Sequence, residues 1–198
     1  RARVRVRLVA FFVRRSLTDL SLVALFPSSF PRQHAYFKGT PLYPFAYGLG
    51  YSSFGYDRLT LSHTSLSAGA ADVATPLQVA VSVTNNGEYV GGRSSEVVLV
   101  FATPSLGSDG GPVGLSVPKQ ILVGFTKIAI DPGTTARVNV DVPLHRLRLL
   151  SANADNSAQP FGLLPGHYTL HVGGRAPGGG VGVSQQQQAP LTASLLVQ

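Results

Sequence analysis

The residues best suited to chemistry in this 198-residue chain are few and scattered. His167 and His171 lie four positions apart, which is the spacing of a zinc pair on a helix. The local sequence HYTLH instead alternates like a strand, with Tyr168, Leu170 and Val172 facing inward. Strand residues four apart are separated by about 13 Å, too far to share one ion. We therefore expect both histidines to face solvent, and we predict no metal site.

The remaining reactive groups form no catalytic constellation. The nine acidic residues make no local pair, and most are expected at turns, as Asp131 is, or on outward strand positions, as Asp141 is. Gly178-Gly179-Gly180 resembles a phosphate loop only superficially, because neither a strand-to-helix pattern nor a Lys-Ser/Thr pair follows. No G-x-S-x-G nucleophile elbow is present. The residues themselves predict neither a complete active site nor a cofactor.

The positive charge is concentrated at the start of the chain. Six of the 16 basic residues fall within residues 1–15, and the rest of the chain has 10 basic against 9 acidic residues. A nucleic-acid interface would therefore rest on that basic arm alone, and only if the arm is truly translated. We interpret residues 1–15 as a disordered or artefactual extension and predict no nucleic-acid partner. No apolar run reaches about 18 residues, so we predict no membrane span.

Short strands separated by turns are predicted for the chain after residue 56. Leu77–Thr84 alternates, with Leu77, Val79, Val81 and Val83 inward, and Thr135–Val142 alternates with Val138, Val140 and Val142 inward. The continuous apolar run Glu96–Ala102 is typical of a central strand. With 22 Gly and 14 Pro for turns, the chain is expected to form an all-β sandwich of about seven strands. The expected strands are 57–62, 77–84, 96–102, 121–130, 135–142, 168–172 and 193–197.

Three details of this strand prediction can be checked. The segment Ile121–Ile130 is either a strand pair or one strand bent near Gly124. Asn85-Asn86-Gly87 is expected to be a turn whose residues tolerate positive φ. The low-complexity stretch Gly173–Pro190, which contains GGG and QQQQ, is expected to be a mobile loop.

An aromatic segment precedes the predicted strands. Tyr36–Tyr56 holds five of the chain's seven tyrosines, interrupted by glycines and prolines that break any regular period. Such a segment is expected to be an irregular lead-in whose rings dock into a groove. An ordinary loop with core aromatics is the alternative.

Several ordered motifs resemble the C-terminal fibronectin type III-like domain of family 3 glycoside hydrolases. They are Thr18-Asp19-Leu20, Phe37–Phe54, Val81–Phe101, Pro118–Val142 and Leu163–Ala176. The forms LVGF and PGHYTLH lean towards the β-xylosidase-like branch of that family. Ala46 and Gly50 depart from it, since they stand where the family usually has Gly and Ser. These changes should bend the local turn without abolishing it.

The resemblance implies a fibronectin type III/immunoglobulin-like sandwich that belongs to a secreted exo-β-glycosidase. In that family the nucleophile Asp lies in a (β/α)8 barrel, and the acid/base carboxylate also lies in the first two domains. No position here matches either motif, so no catalytic residue is assigned, and the chain is interpreted as a fragment. The partners implied are the barrel and the α/β sandwich domain of the same enzyme. A stand-alone module that binds polysaccharide or protein is the alternative.

We accordingly divide the chain into the extension 1–15, a docking linker with a remnant of a preceding domain at 16–56, and the sandwich at 57–198. The predicted interdomain docking residues are Phe37, Tyr43, Pro44, Phe45, Tyr47, Gly48, Tyr51 and Phe54.

Overall fold

The computed structural model describes residues 35–37, 39–68, 75–87, 93–106, 117–150, 161–178 and 188–198. The predicted extension and most of the remnant before the lead-in lie outside these residues. The strands are β1 (Phe54–Leu61), β2 (Ser65–Leu66), β3 (Leu77–Asn85), β4 (Ser94–Ser105), β5 (Ile121–Ile130), β6 (Thr135–Val142), β7 (Leu149–Leu150), β8 (Phe161–Gly162), β9 (Gly166–Gly173) and β10 (Leu191–Val197). One 3₁₀ helix, Leu144–Leu147, follows β6. Among the described residues, no helix has the length and apolarity to cross a membrane.

The seven longer strands and the two-residue β2 form two packed sheets. One sheet has three strands in the order β1-β3-β6, and the other has five in the order β2-β10-β9-β4-β5. All pairings in these two sheets are antiparallel except that of β10 with the two-residue β2. The short strands β7 and β8 pair with each other. The predicted all-β sandwich of about seven main strands is confirmed.

The core lies between the two sheets and follows the predicted alternation. Alternate residues of β3, from Leu77 to Val83, are buried, as are Val138, Val140 and Val142 of β6. They face a second set of apolar side chains from β4 and β9. β10 contributes Leu195 and Val197. The period-2 pattern in the sequence therefore identifies the buried faces of β3, β6 and β9 correctly.

The segment 121–130 is one strand with a bulge. Val100 pairs with Gly124 whereas Phe101 pairs with Leu122, so Val123 is the extra residue on β5. Gly124 lies close to β6, where a Cβ atom would come within 3.1 Å of Val140 Cγ1. Of the two alternatives left by the sequence, the bent strand is correct.

The turn after β3 differs in detail from the expectation. Gly87 takes a positive φ of 73°, but Asn85 and Asn86 do not. Asn85 is instead fully buried, donating from Nδ2 to the Ile130 carbonyl oxygen and accepting at Oδ1 from the Gly87 N–H. Because Ile130 ends β5, this side chain joins the two sheets at one end of the sandwich.

The first strand begins earlier than predicted. It starts at Phe54 rather than Asp57, so its first three residues belong to the aromatic segment assigned to the linker. Phe54 is half-buried against the core, and Tyr56 is buried within it. Backbone pairing with β3 continues through these positions, from Phe54 opposite Asn85 to Tyr56 opposite Val83. Sheet pairing therefore extends into a sequence whose glycine content suggested a loop.

Candidate docking surface

The aromatic lead-in lies across the outer face of the five-stranded sheet. A turn at Pro44–Tyr47 is closed by a 3.0 Å hydrogen bond from the Tyr47 N–H to the Pro44 carbonyl oxygen. Pro44 is buried, and the Phe45 carbonyl oxygen accepts a 2.9 Å hydrogen bond from the Ala176 N–H, just after β9. Ala35 accepts a backbone hydrogen bond from Lys119, just before β5. Backbone contacts at separate points therefore fix this segment to the sandwich.

A second, smaller apolar cluster lies beneath the lead-in. Leu99, Phe101 and Ala176 are buried on the outer face, with Leu122 packed beside them. The Phe45 ring meets the Phe101 ring edge-on, with centroids 6.2 Å apart and an interplanar angle of 77°. This is a favourable geometry for aromatic quadrupoles. The lead-in therefore covers apolar sheet surface within its own domain.

Other rings of the lead-in stay exposed. Tyr43 stacks on Tyr47 at a centroid distance of 5.2 Å, yet 57% of Tyr43 is accessible to solvent. Phe45 is 50% exposed and Tyr51 84% exposed. Of the other predicted docking residues, Gly48 is exposed, Phe37 and Tyr47 are half-buried, and Pro44 is buried. The predicted set therefore includes residues that anchor the lead-in as well as residues that face outward.

A groove of about 760 Å³ runs between the lead-in and the sheet. The predicted residues Phe45, Gly48, Tyr51 and Phe54 line it, whereas Phe37, Tyr43, Pro44 and Tyr47 do not. Phe125 of β5, which is 65% exposed, adds an aromatic side chain that the sequence did not single out. Exposed apolar surface of this kind, rimmed by polar groups, commonly marks an interaction site.

Three polar side chains meet at one end of this groove. The Tyr56 hydroxyl donates a 2.6 Å hydrogen bond to Glu96 Oε1. The Gln188 side chain accepts a 2.7 Å hydrogen bond from the Tyr56 N–H and donates a 3.0 Å hydrogen bond to the Tyr56 carbonyl oxygen. These are the two backbone groups that a neighbouring strand would otherwise pair with. Burial raises the pKa of the Glu96 carboxyl, although the hydrogen bond from Tyr56 opposes the shift. Burial, with the Glu96 charge, also raises the Tyr56 pKa.

Sequence reasoning missed this cluster and misjudged one of its three residues. Gln188 lies in the stretch expected to be a mobile loop, yet it is fixed to β1, while residues 179–187 lie outside the described part of the chain. Glu96 is 40 residues from Tyr56, and Gln188 is 132 residues from it. No local sequence pattern predicts contacts between residues so far apart in the chain. The one unusual feature in the sequence was that a carboxylate, Glu96, begins an otherwise apolar strand.

The two histidines differ from each other. His167 is exposed, as expected, but His171 is half-buried and shares a 3.1 Å hydrogen bond with the Thr103 hydroxyl. Burial lowers the His171 pKa. His171 lies on the outward side of β9, as expected, but it is less exposed than the prediction implied. Within the described residues, no group of three or more His, Asp and Glu side chains is arranged to hold a metal ion.

Comparison with known proteins agrees with this architecture. Residues 96–176 match the family described as fibronectin type III-like domain. The chain is 30% identical over 141 residues to a β-xylosidase of Formosa agariphila, covering 71% of this chain and 17% of that protein. It is 36% identical over 102 residues to a probable β-glucosidase I of Aspergillus fumigatus, covering 52% of this chain and 11% of that protein.

Solved structures give the same relationship. A β-D-glucoside glucohydrolase of Trichoderma reesei matches with a TM-score of 0.55 at 25% identity, over 80% of this chain and 20% of its own. A β-glucosidase of Erythrobacter marinus matches with a TM-score of 0.58 at 23% identity, over 87% and 19% respectively. The chain thus spans less than a fifth of the curated relatives named here.

Proposed function

We propose that this fibronectin type III-like domain is a non-catalytic module that docks on the catalytic domains of a family 3 glycosidase and stabilises them. The domain matches the C-terminal region of family 3 β-glucosidases and β-xylosidases. The observation that carries the proposal is a set of exposed rings on a fixed backbone. Tyr43, Phe45 and Tyr51 stay at least half exposed although the turn beside them is hydrogen-bonded to the sheet.

The physical reason is the cost of exposing apolar surface. A monomeric domain gains nothing from holding large rings in water, and burying them against a partner contributes roughly 25 cal/mol per Å². The much greater length of the relatives supports a partner within the same polypeptide. The predicted docking residues thus become the contact between this module and the barrel and α/β sandwich domains of the enzyme.

We further propose that the enzyme is β-xylosidase-like and hydrolyses O-glycosyl bonds in xylan. Two motifs support this assignment, LVGF at residues 122–125 and PGHYTLH at residues 165–171. Among the relatives, a β-xylosidase and a putative β-xylosidase of Formosa agariphila align over 71% and 73% of this chain. The chemistry would be supplied by the catalytic domains, and the module would contribute stability.

A chimera tests the proposal. Residues 35–198 would replace the matching C-terminal segment of the Formosa agariphila β-xylosidase, and thermal unfolding of its catalytic domains would be followed together with xylosidase activity. We expect Tyr43→Ala with Tyr51→Ala to lower the unfolding midpoint by about 3 °C or more, because each ring loses its buried contact. The same pair should change the midpoint of the separate 198-residue chain far less.

Phe161→Ala is the matched control, because Phe161 is also an exposed aromatic but lies on β8, away from the groove. It should leave the chimera's midpoint unchanged. An unchanged midpoint for the Tyr43/Tyr51 variant would refute the docking role. If the separate chain instead bound xylo-oligosaccharides by calorimetry, and Tyr51→Ala abolished that binding, the stand-alone carbohydrate-binding alternative would replace it.

A further inference from the structure

Arg175 is the buried positive charge of the groove. It lies two residues after the end of β9 and lines the groove together with Tyr51 and Phe125, but only 8% of the residue is accessible to solvent. Arginine is rarely buried to this degree without a charged partner, because removing a guanidinium from water is costly. A guanidinium in this position therefore needs hydrogen-bond acceptors and a counter-ion.

The described residues leave Arg175 incompletely satisfied. Nη1 donates a 3.2 Å hydrogen bond to the Gly178 carbonyl oxygen, but Nε is buried and has no hydrogen-bond partner. The ion pairs formed by described residues join Arg58 with Asp57 and Arg93 with Asp131, and neither includes Arg175. A guanidinium can offer five N–H donors in a planar fork that matches a carboxylate.

The acidic side chain of the same groove is already engaged. Glu96 Oε1 accepts the hydrogen bond from Tyr56 and lies so close to Gly174 that a Cβ atom there would clash with it. Although Gly174 precedes Arg175, no ion pair joins Glu96 to Arg175 among the described residues. The groove thus combines apolar walls with one buried cation that has no counter-ion among the residues that the structure describes.

We propose that the groove receives a segment of the catalytic domains in which an Asp or Glu carboxylate, flanked by apolar residues, pairs with the Arg175 guanidinium. This inference rests on the docking role proposed above and assigns the partner's chemistry. The apolar walls exclude water around the pair, so the charge-assisted hydrogen bonds become strong and directional. Tyr51 and Phe125, exposed in the separate chain, then contact the apolar residues on either side of the carboxylate.

The first experiment compares Arg175→Met in the separate chain and in the β-xylosidase chimera. Methionine keeps much of the side-chain volume and removes the charge. The unfolding midpoint of the separate chain should stay the same or rise, because an unpaired buried charge is removed. The midpoint of the chimera should fall by several degrees, because the partner carboxylate is left buried and unpaired. A fall of equal size in both would assign Arg175 a purely structural role and overturn the proposal.

The second experiment identifies the carboxylate. Arg175→Lys keeps the charge and supplies an amine, which a water-soluble carbodiimide joins to a carboxylate within contact distance. Digestion and mass spectrometry of the treated chimera should give a cross-link to an Asp or Glu of the catalytic domains, absent from the Arg175→Met control. A cross-link to Glu96 alone, or none at all, would overturn the proposal.

The two proposals fail separately in these tests. If Tyr51→Ala destabilises the chimera while Arg175→Met does not, docking stands and the carboxylate pairing is wrong. If neither variant affects the chimera, the docking role itself is wrong. Binding of the separate chain to polygalacturonate, lost in Arg175→Met, would instead assign the groove to an acidic polysaccharide and overturn the choice of a polypeptide.

Discussion

At the scale of single residues, Ala46 occupies a backbone position that favours glycine. Its φ is 64°, in the left-handed region, and it is the third residue of the turn closed by Pro44 and Tyr47. Pro44 is the first residue of this turn and Phe45 the second, and a positive φ at the third position is typical of a type II turn. The expectation that alanine would bend this turn without abolishing it agrees with the hydrogen bond that closes the turn.

Replacing Ala46 should therefore stabilise the chain. An L-residue with a Cβ atom is disfavoured in the left-handed region by about 1–2 kcal/mol, and the greater freedom of glycine in the unfolded chain offsets part of that gain. We expect Ala46→Gly to raise the free energy of unfolding by about 0.5–1 kcal/mol in urea denaturation. Ala46→Val should lower it, because a β-branched side chain tolerates positive φ least. A destabilising Ala46→Gly would show that the turn does not hold this geometry in solution.

At the scale of elements, one tyrosine ties the start of β9 to the connection before it. Tyr168 is fully buried, and its hydroxyl donates a 2.9 Å hydrogen bond to the Leu164 carbonyl oxygen four residues upstream. This is the arrangement of a tyrosine corner, which fixes the chain as it enters a sandwich strand. Burial raises the Tyr168 pKa to about 12. The hydroxyl therefore remains a donor throughout the neutral range.

Tyr168→Phe should destabilise the domain by about 1–2 kcal/mol, because the ring stays but the Leu164 carbonyl oxygen loses its partner. Equilibrium unfolding of the full chain in urea measures the difference. Tyr43→Phe is the matched control, since Tyr43 is mostly exposed and its substitution should change the free energy of unfolding by less than about 0.5 kcal/mol. Equal effects of the two substitutions would show that the corner contributes no stability of its own.

The elements also show where sequence reasoning succeeds and where it stops. Alternation in β3 and β6 identified the buried faces, because burial on one side of a strand must repeat every second residue. The pairing of Phe54–Tyr56 with β3 has no such local signal, since it depends on residues near position 84. The lead-in was recognised from its aromatic density. Its contact with Phe101 and the position of Arg175 depend on contacts distant in sequence.

At the scale of the whole molecule, two half-buried groups, Glu96 and His171, give the domain opposing responses to pH. Burial raises the Glu96 pKa above its usual 4.5, so the folded state binds the Glu96 proton more tightly than the unfolded state does. This proton stabilises the folded state at low pH, and that stabilisation is lost as the pH rises through the Glu96 pKa of the folded state. Burial lowers the His171 pKa below 6.5. The contribution of the neutral imidazole to stability is therefore present at neutral pH and is lost as the pH falls through the pKa of the folded state.

Glu96→Gln separates the two responses. Its amide oxygen can still accept from the Tyr56 hydroxyl, but it does not titrate, so the wild-type minus variant difference in the free energy of unfolding isolates the Glu96 charge. We expect this difference to become steadily less favourable to the wild-type chain as the pH rises above 4.5, with the variant gaining its advantage when Glu96 is ionised. Both chains should keep the loss of stability below pH 6.5 that His171 produces, so this loss cancels in the difference.

Urea denaturation of both chains at intervals from pH 4 to pH 8 measures the difference. The sign of the slope of this difference against pH decides the matter. An exposed glutamate would give no slope, and an ion-paired glutamate would give a slope of the opposite sign. A difference that favours the wild-type chain more as the pH rises would mean that a cation stabilises the ionised carboxylate. Arg175 would be the first candidate for that cation, since it lines the same groove. The same result would weaken the argument that Arg175 lacks a counter-ion, so this titration also tests a premise of the proposed docking chemistry.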